Sequence, residues 1–600
     1  MARTIGIDLG TTTSIMTYIK DGKPYIIEDS QEGKIINSVV GIHEDGSTVF
    51  GRRAKNQMLQ FPDRTAIEVK RLFGTDEKVK LGDEEFQPHV ISAILLKHLK
   101  EIAEKYLNEK VDEAVITVPA NFNSLQRQLT KQAGELAGLK VERIINEPTA
   151  AAIAYGFDNS DKDEKILVYD LGGGTFDVTI LEIIDGVIDV ICSRGNNKLG
   201  GKDFDNILER YIINDFYKKH GINLYNDAEI RVLTSIKEKE EEAKKELSTQ
   251  DSSNVYIPYV AFKDNQPLSI DCSITRETFE SLIMQNVLST KETIADALKA
   301  ADLTAEEIDT VILVGGSTRV PLVKKLANAI FPDKVKDDIN PDVAVALGAA
   351  IQAGIKNDEF DNEDIDIIVT DKSSYNLGVA ATRIVNNQRV DDLFSKIIEK
   401  DNSIPCTKRK VYSTTVDNQS EVIIPIYEGD SDCVNDNIKI GEVVLDGIPR
   451  GKAGSQDIAV DFSYDLNGII KVTATVLSTG NKIDAQIDLS SVSEPISGGL
   501  IEKYFEESSN ADKTEEIKEY NEVKETINTS CEDDIYKQYP LYSRVEGSIN
   551  FAKNMSMDTN EVNQKKINDA IQKIKNAVVS DDEVLLEKFE MELTDILFEI

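Results

Sequence analysis

Hydrophobic positions recur with two different periods along the chain, and the changes of period divide it into regions. In the first three fifths, short β-branched runs alternate with longer stretches of helical periodicity, which is typical of an α/β domain. A region of alternating apolar and polar residues follows and favours a compact β-sandwich, and the last hundred residues return to helical spacing. We therefore predict an α/β domain over 1–357, a linker over 358–371, a β-sandwich over 372–495 and a helical domain over 496–600.

The predicted linker begins acidic and ends apolar. Residues 358–364 read DEFDNED, and Ile367, Ile368 and Val369 follow shortly before Asp371. A short apolar segment is unfavourable in water and is stabilised by packing on a neighbouring domain. Considered alone, an ordinary linker that happens to contain isoleucines remains the better interpretation.

Composition and charge narrow the class of protein. The chain has 600 residues, too many for one hydrophobic core, and 40% of them are hydrophobic, as in ordinary globular proteins. A net charge of −38 without a basic patch argues against binding to nucleic acid or to an anionic membrane, and no apolar run is long enough to cross a bilayer. We expect a cytoplasmic protein.

Cysteines and histidines offer no metal or disulfide framework. The five cysteines are far apart and never form a Cys-x-x-Cys pair, and the four histidines lack the spacing of metal ligands. Catalysis is therefore expected to rest on carboxylates, lysine and backbone groups.

Two matched segments combine a strand, an aspartate and a glycine-rich turn. One strand ends in Asp8 and continues as Leu-Gly-Thr-Thr, and a second ends in Asp170 and continues as Leu-Gly-Gly-Gly-Thr, with Asp177 two residues further on. Glycine lets backbone N–H groups converge on phosphate oxygens, and aspartates hold Mg²⁺ through its water ligands. One such segment would be an ordinary hairpin turn, but two favour similar halves that face each other across a phosphate-binding cleft.

Other nucleotide motifs are missing or weak. The sequence contains no G-x-x-x-x-G-K-[ST] and no G-x-G-x-x-G, which excludes the P-loop class. A third strand ends in Gly315 and Gly316, where backbone could approach a nucleoside while the Arg319 guanidinium lies against a flat base. This junction would be a weak signal by itself.

The chain resembles the heat-shock 70 kDa chaperone family over most of residues 1–495. The resemblance rests on IGIDLGTT at 5–12, VPA at 118–120, RIINEPTAAA at 143–152, the segment 170–177 and GGSTR at 315–319. It implies a multidomain protein with a two-lobed, actin-like α/β ATPase domain, a β-sandwich that binds peptide and a C-terminal α-helical lid. The implied activity is that of an ATP-dependent chaperone, which binds extended hydrophobic segments of unfolded proteins and whose ATP hydrolysis controls their capture and release.

The family's site residues carry over to matching positions. The implied cofactors are ATP or ADP, Mg²⁺ and K⁺, with Mg²⁺ held through water by Asp8 and Asp170. The residues implied in catalysis are Lys70, Glu147, Asp170, Thr175 and Asp177. Those implied in nucleotide binding are Gly10, Thr11, Thr12, Gly172, Gly173, Gly174, Gly200, Gly201, Glu241, Lys244, Lys245, Ser248, Gly315, Gly316, Ser317, Arg319 and Asp342. Without the resemblance, Lys70 and the charged run 237–245 would be read as solvent-exposed helix faces.

The resemblance also implies coupling and peptide-binding residues. Those implied in coupling are Pro119, Arg127, Ile367, Ile368, Val369 and Asp371. Those implied in the peptide groove are Val379, Tyr412, Thr415, Val422 and Ile424, although Ile424 is equally well explained as core.

Several positions depart from the family pattern. Thr370 is polar where an aliphatic residue is usual, the segment 372–378 lacks the usual proline, and Pro425 within a strand should mark an edge or bulge. We expect weaker linker docking and an unusual substrate preference, and we favour a specialised bacterial paralogue.

The resemblance implies protein partners as well. They are a J-domain co-chaperone and a GrpE-type nucleotide exchange factor. Arg143, Asn146 and Thr149 match the surface that meets J-domains, whereas Asn121 and Ser124 depart from it. A sugar or acetate kinase and an actin-like filament ATPase share the nucleotide fold and stay as alternatives, but the β-sandwich disfavours both.

Overall fold

The structure is a computed structural model of the whole chain. It describes residues 3–58, 60–158, 162–184, 187–336, 340–357, 359–360, 368–385, 388–486 and 561–580, together with 589 and 593. The chain divides into two compact units, Met1–Ser508 and Ser509–Ile600. Ile367 and most of the predicted helical lid lie outside the described residues.

The first lobe of the α/β domain is built on a twisted sheet with strand order β11-β10-β1-β2-β3, and β4 pairs with β2. Its elements are β1 Arg3–Leu9, β2 Thr13–Lys20, β3 Lys23–Ile26, β4 Ile36–Asn37, β5 Val40–Ile42, β6 Thr48–Phe50, α1 Gly51–Gln57, β7 Thr65–Ala66, β8 Val79–Leu81, β9 Glu84–Phe86, α2 Pro88–Leu107, β10 Val111–Val118, α3 Ser124–Leu136, β11 Lys140–Asn146 and α4 Glu147–Asp158. Strands β1 and β2 are antiparallel, whereas β10 and β11 run parallel to β1.

The second lobe repeats this arrangement. Its elements are β12 Glu164–Leu171, β13 Phe176–Ile184, β14 Val187–Asn196, α5 Gly201–His220, α6 Leu224–Asp227, α7 Ile230–Thr249, β15 Ser252–Lys263, β16 Gln266–Thr275, α8 Arg276–Ala300, β17 Thr310–Val314, α9 Pro321–Ile330, β18 Val335–Lys336 and α10 Ala344–Lys356. The order β18-β17-β12-β13-β14 has the same strand directions as the first sheet, with β12 in the place of β1. The two similar halves predicted from the aspartate turns are thus confirmed.

Helices α4 and α10 pack between the two sheets. Their alanine-rich faces share one buried cluster with residues of both lobes, among them Val115 and Val168. A Cβ at Gly348 would overlap the carbonyl of Ala150, so the two helix backbones approach as closely as glycine allows. This close packing places the strand ends of both sheets on either side of one cleft.

The β-sandwich follows as predicted. Strand β19 Ile368–Lys372 leads into it. The strands that follow are β20 Asn376–Val385, β21 Gln388–Ile398, β22 Ser403–Ile404, β23 Cys406–Ser413, β24 Val422–Gly429, β25 Ile438–Leu445, β26 Asp457–Tyr464, β27 Ile470–Val476 and β28 Lys482–Gln486. Two four-stranded sheets, β21-β20-β24-β25 and β23-β26-β27-β28, enclose the core, in which Phe462 and Ile426 are buried. The pairing of β24 with β20 ends at Ile426, so Pro425 has no partner on that side of the strand. The pairing of β24 with β25 shifts register between Ile426 and Tyr427. Pro425 thus occupies the kind of edge position expected of a proline.

Strand β19 joins the two domains. It runs parallel to β14 of the second lobe and antiparallel to β22 of the β-sandwich, so the end of the predicted linker is a strand of a seven-stranded sheet. Thr370 adds a side-chain hydrogen bond to Asp189, so the polar residue at this position has a partner in the second lobe.

The remaining elements are few. Short 3-10 helices cover Pro62–Arg64, Val69–Leu72, Ala305–Glu307, Gly316–Arg319 and Val434–Asp436. In the second unit, helix α11 spans Glu561–Ser580, and Ile567, Ile571 and Ile574 on one face of it are buried. Within the described residues, no helix is long and apolar enough to span a membrane.

Candidate functional site

The two aspartate turns meet across the cleft. A Cβ on Gly173 would lie 2.6 Å from the Thr12 hydroxyl, so the turn of 172–175 lies directly against the turn of 10–12. The Gly172 N–H donates to the Thr175 carbonyl at 3.0 Å and closes the second turn tightly. The two predicted turns therefore lie against each other across the cleft, and their binding of phosphate stays a prediction.

Four carboxylates surround this meeting point. Asp8 and Asp170 stand near the ends of β1 and β12. Asp177 lies in β13, opposite Asp170 of the neighbouring β12, and Glu147 is the first residue of α4. Burial raises the pKa of Asp8 to about 7 and that of Asp170 well above its ordinary value, and the negative charge of Glu147 adds to both shifts. Burial also raises the pKa of Asp177 to about 7, against the hydrogen bond from Asn121. The site holds more negative charge than its surroundings compensate.

Lys70 supplies a buried positive charge among these carboxylates. Its Nζ donates to Glu147 Oε1 at 2.7 Å and to the Leu9 carbonyl at 2.6 Å, and the residue is only 3% exposed. It lies on the 3-10 helix Val69–Leu72, which follows Glu68 in a left-handed conformation. The structure therefore rules out the solvent-exposed helix face that the local sequence suggested, and the role implied by the family stays a prediction.

The residues present suit a hydrated Mg²⁺. Among the described residues, no group of three or more His, Cys, Asp or Glu side chains is arranged to hold a metal ion by itself. Mg²⁺ usually keeps several waters and takes one or two carboxylates together with substrate phosphates. Asp8 and Asp170, which stand near the ends of the strands that lead into the two turns, fit this mode of binding. Thr117 holds the Asp8 carboxylate by donating to it at 2.8 Å.

The predicted nucleoside residues of the second lobe also come together. The Gly201 N–H donates to the Gly172 carbonyl at 3.0 Å, the Ser317 hydroxyl donates to the same carbonyl at 2.8 Å, and Lys244 Nζ donates to the Gly201 carbonyl at 3.1 Å. Gly200 packs so closely on Gly174 that a Cβ there would lie 2.5 Å from its nitrogen. Gly200 and Gly201, at the start of α5, therefore support the turn of 172–175.

The charged helix α7 faces the first lobe. Glu241 accepts from Lys55 of α1 at 2.7 Å and from Lys245 at 2.6 Å, and Ser248 donates to the Lys244 carbonyl at 3.1 Å. Lys55 was not predicted, because nothing in its local sequence distinguishes it from other surface lysines.

At the third glycine junction, polar contacts within the second lobe hold Arg319 in place. Gly315 has φ +83° and leads into the 3-10 helix Gly316–Arg319. Arg319 pairs with Asp342 at 2.5 Å and with Asn340 at 3.1 Å. The guanidinium is half exposed, which leaves a face of it open to a base.

Two of the predicted coupling residues, Arg127 and Asp371, are joined by hydrogen bonds through Asn146. Arg127 donates to the Ala120 carbonyl at 3.0 Å and to Asn146 Oδ1 at 2.6 Å, and Asn146 Nδ2 donates to Asp371 Oδ2 at 2.6 Å. Pro119 begins the turn, since its carbonyl accepts from the Phe122 N–H at 3.1 Å. Ile368 and Val369 lie in β19, which continues the path into the shared sheet.

The β-sandwich is docked on the α/β domain through polar contacts that the sequence did not predict. Glu428 accepts from the Ser124 N–H at 2.9 Å and from its hydroxyl at 3.1 Å. Arg194 makes a bidentate pair with Asp401 at 2.9 and 2.7 Å. Asn467 accepts from the Ile144 N–H at 3.1 Å.

One residue of this interface, Glu428, could have been recognised from the sequence. Glu428 follows Ile424 and Ile426 at the core-facing positions of β24, and a carboxylate in that series requires a partner. The residues implied for the J-domain surface lie close to this interface, and Asn121, Ser124, Asn146 and Thr149 are all buried.

The predicted peptide-groove residues differ in exposure. Val379 and Ile424 are buried in the core of the sandwich, Tyr412 and Val422 are half-buried, and Thr415 is exposed. Their part in a groove stays a prediction.

Comparison with known proteins identifies the family. The family model described as Hsp70 protein matches residues 4–596. The chaperone protein DnaK of Thermotoga neapolitana is 44% identical over 480 residues, which cover 80% of this chain and 79% of the relative, and the DnaK of Thermotoga maritima has the same identity and coverage. These relatives do not favour the kinase and filament alternatives. The chain belongs to the Hsp70 family, as a bacterial DnaK-like ATPase and ATP-dependent molecular chaperone.

Proposed function

We propose that the cleft between the two lobes hydrolyses ATP with the residue roles implied by the sequence. The observation that carries the proposal is Lys70, a buried cation held between Glu147 and the strand that ends in the first phosphate turn. Phosphoryl transfer needs positioning and neutralisation of charge more than it needs a strong base. Lys70 supplies positive charge beside the transferring group, and the turns of 10–12 and 172–175 bind the phosphates.

The acidic residues would orient the other reactant. Asp177 and Glu147 would accept hydrogen bonds from an attacking water and so fix its direction of attack. Bound Mg²⁺ supplies neutralisation of the phosphate charge, and Asp8 and Asp170 would hold it through water. A K⁺ ion in the same cleft stays a prediction.

The base and ribose would lie between the second lobe's helices. Glu241, Lys244, Lys245 and Ser248 offer polar groups along one face of α7, and the open face of Arg319 offers stacking. The pair between Glu241 and Lys55 would close the cleft over the nucleoside.

We further propose that docking of the β-sandwich couples this reaction to peptide binding. The path through Arg127, Asn146 and Asp371 supports this coupling, because it joins the first lobe to β19 without a gap. Extended hydrophobic peptides would be the ligands, and a J-domain protein and a GrpE-type exchange factor would be the partners, in the cytoplasm.

Substitution of Lys70 and Thr175 tests the catalytic assignment. Lys70→Ala and Thr175→Ala should each lower ATP turnover at least a hundredfold and change the Kd for ATP only a few-fold, since contacts made in the transition state affect rate most. Lys291→Ala, at an exposed position of α8, is the matched control and should leave turnover unchanged. Normal turnover in both site variants would remove these residues from the site. Incubation with ATP and sugars should give ADP without a phosphorylated sugar.

A further inference from the structure

The turn of residues 119–122 lies between the catalytic carboxylates and the β-sandwich. Asn121 in this turn is 6% exposed, and its Nδ2 donates to Asp177 Oδ1. A Cβ on Gly195, which faces Asp177 across the sheet, would overlap both the amide and the carboxylate. The close packing leaves the Asn121 amide little freedom to turn away while the backbone of the turn stays in place.

The β-sandwich holds the backbone of the same turn. The Tyr375 hydroxyl donates to the Asn121 carbonyl at 3.0 Å, and the Ser374 hydroxyl donates to the Ala120 carbonyl at 2.6 Å. From the other side, Arg127 donates to the carbonyls of Ala120 and Phe122 at 3.0 and 3.1 Å. One residue therefore separates the β-sandwich from a carboxylate of the proposed catalytic site.

The amide contact affects what Asp177 can accept. A hydrogen-bond donor on a carboxylate oxygen takes up one of its acceptor positions and withdraws charge from the others. A carboxylate restrained in this way orients and activates a water less well than one with both oxygens free.

We propose that Asn121 is a positioning residue through which the docked β-sandwich restrains ATP hydrolysis, with Tyr375 as the residue that holds it in place. While Tyr375 donates to its carbonyl, Asn121 keeps its amide on Asp177. When the β-sandwich leaves, the turn relaxes and Asp177 is released toward the attacking water. The inference rests on the proposed function, since it requires Asp177 to take part in hydrolysis.

Single-turnover hydrolysis by the full chain at saturating ATP, with and without a hydrophobic peptide, tests this link. Asn121→Ala should raise the peptide-free rate about ten- to a hundredfold, as expected for loss of one hydrogen bond to a charged group, and should reduce stimulation by peptide by the same factor. Tyr375→Phe should do the same to a smaller extent, about two- to threefold. In the double variant Tyr375→Phe should add nothing, because its effect acts through the Asn121 side chain.

Tyr155→Phe removes another tyrosine hydroxyl, which donates to Glu164 at 2.7 Å, and should leave both rates unchanged. An unchanged or slower peptide-free rate in Asn121→Ala, or effects that multiply in the double variant, would overturn the inference. If Asn121→Ala does not fold, an unchanged rate in Tyr375→Phe overturns it. Absence of ATP hydrolysis by the unaltered chain would instead refute the proposed function, and the inference with it.

Discussion

Docking of the β-sandwich should depend on pH through Glu428. This carboxyl is 2% exposed, and burial raises its pKa to about 7, against the donors of Ser124 and the positive charge of Arg127 and with a smaller contribution from Asp430. Tyr464 also lies in this pocket, with its hydroxyl 3.3 Å from that of Ser124. When the interface opens, the carboxyl returns to water and its pKa falls toward the ordinary 4.5.

The sign of the effect follows from proton binding. The docked state binds the proton more tightly, so docking is strongest below the ordinary pKa and weakens as the pH rises toward about 7. The difference between the two pKa values corresponds to about 3 kcal/mol at most, at about 1.4 kcal/mol per pH unit. Between pH 5.5 and pH 8 the docking equilibrium should therefore fall by about thirtyfold.

Glu428→Gln is the variant that isolates this carboxyl. The amide oxygen can still accept from the Ser124 N–H and the amide N–H₂ can donate to its hydroxyl, so docking should persist. Energy transfer between dyes on exposed positions of the two domains, followed from pH 5.5 to 8 at saturating ATP, should show most of the pH dependence lost. Asp371, whose pKa is also raised by burial, accounts for the remainder.

The matched control is Glu421→Gln, at an exposed position just before β24, which should keep the full pH dependence. Docking by the unaltered chain that is independent of pH would refute the reasoning. The same holds if Glu428→Gln retains the pH dependence of the unaltered chain.

Three further substitutions test other contacts. Arg194→Ala leaves Asp401 without its bidentate partner and should weaken docking about tenfold in the same energy-transfer assay, and an unchanged equilibrium would show that the pair contributes nothing. Arg319→Ala should raise the Kd for ATP about tenfold in equilibrium titrations and leave turnover at saturation within about twofold, whereas unchanged affinity would argue against stacking on the base. Gly315→Ala places a Cβ at φ +83° against the Leu171 carbonyl and should destabilise the α/β domain by about 2–4 kcal/mol, measured as a lower Tm by calorimetry; an unchanged Tm would contradict the crowding.

The two aspartate turns could be predicted from the sequence because their cause is local. A buried strand, an aspartate and glycines in fixed order define each turn, and the repetition of this order at Asp8 and Asp170 indicated the two lobes before any topology was known. The matching strand orders of the two sheets are the structural consequence.

The interactions that are distant in sequence could not be predicted in the same way. Lys70 has the local sequence of a surface lysine, and only its contacts with Leu9 and Glu147, 61 and 77 residues away, explain why it is buried. The contact of Asn121 with Asp177 likewise depends on how two strand ends meet across the cleft. Resemblance to the family implies the role of Lys70, whereas Asn121 departs from the family pattern, so the resemblance implies no contact for it.

ATP in the cleft should control peptide binding through the docked β-sandwich. The dissociation rate of a fluorescent hydrophobic peptide from the full chain, measured after addition of ATP and after addition of ADP, tests it most directly. Release should be faster with ATP. ATP and peptide favour different domain arrangements, so ATP lowers the affinity for peptide, and a loss of affinity appears mostly as faster dissociation. Peptide dissociation at the same rate with ATP and with ADP would contradict it.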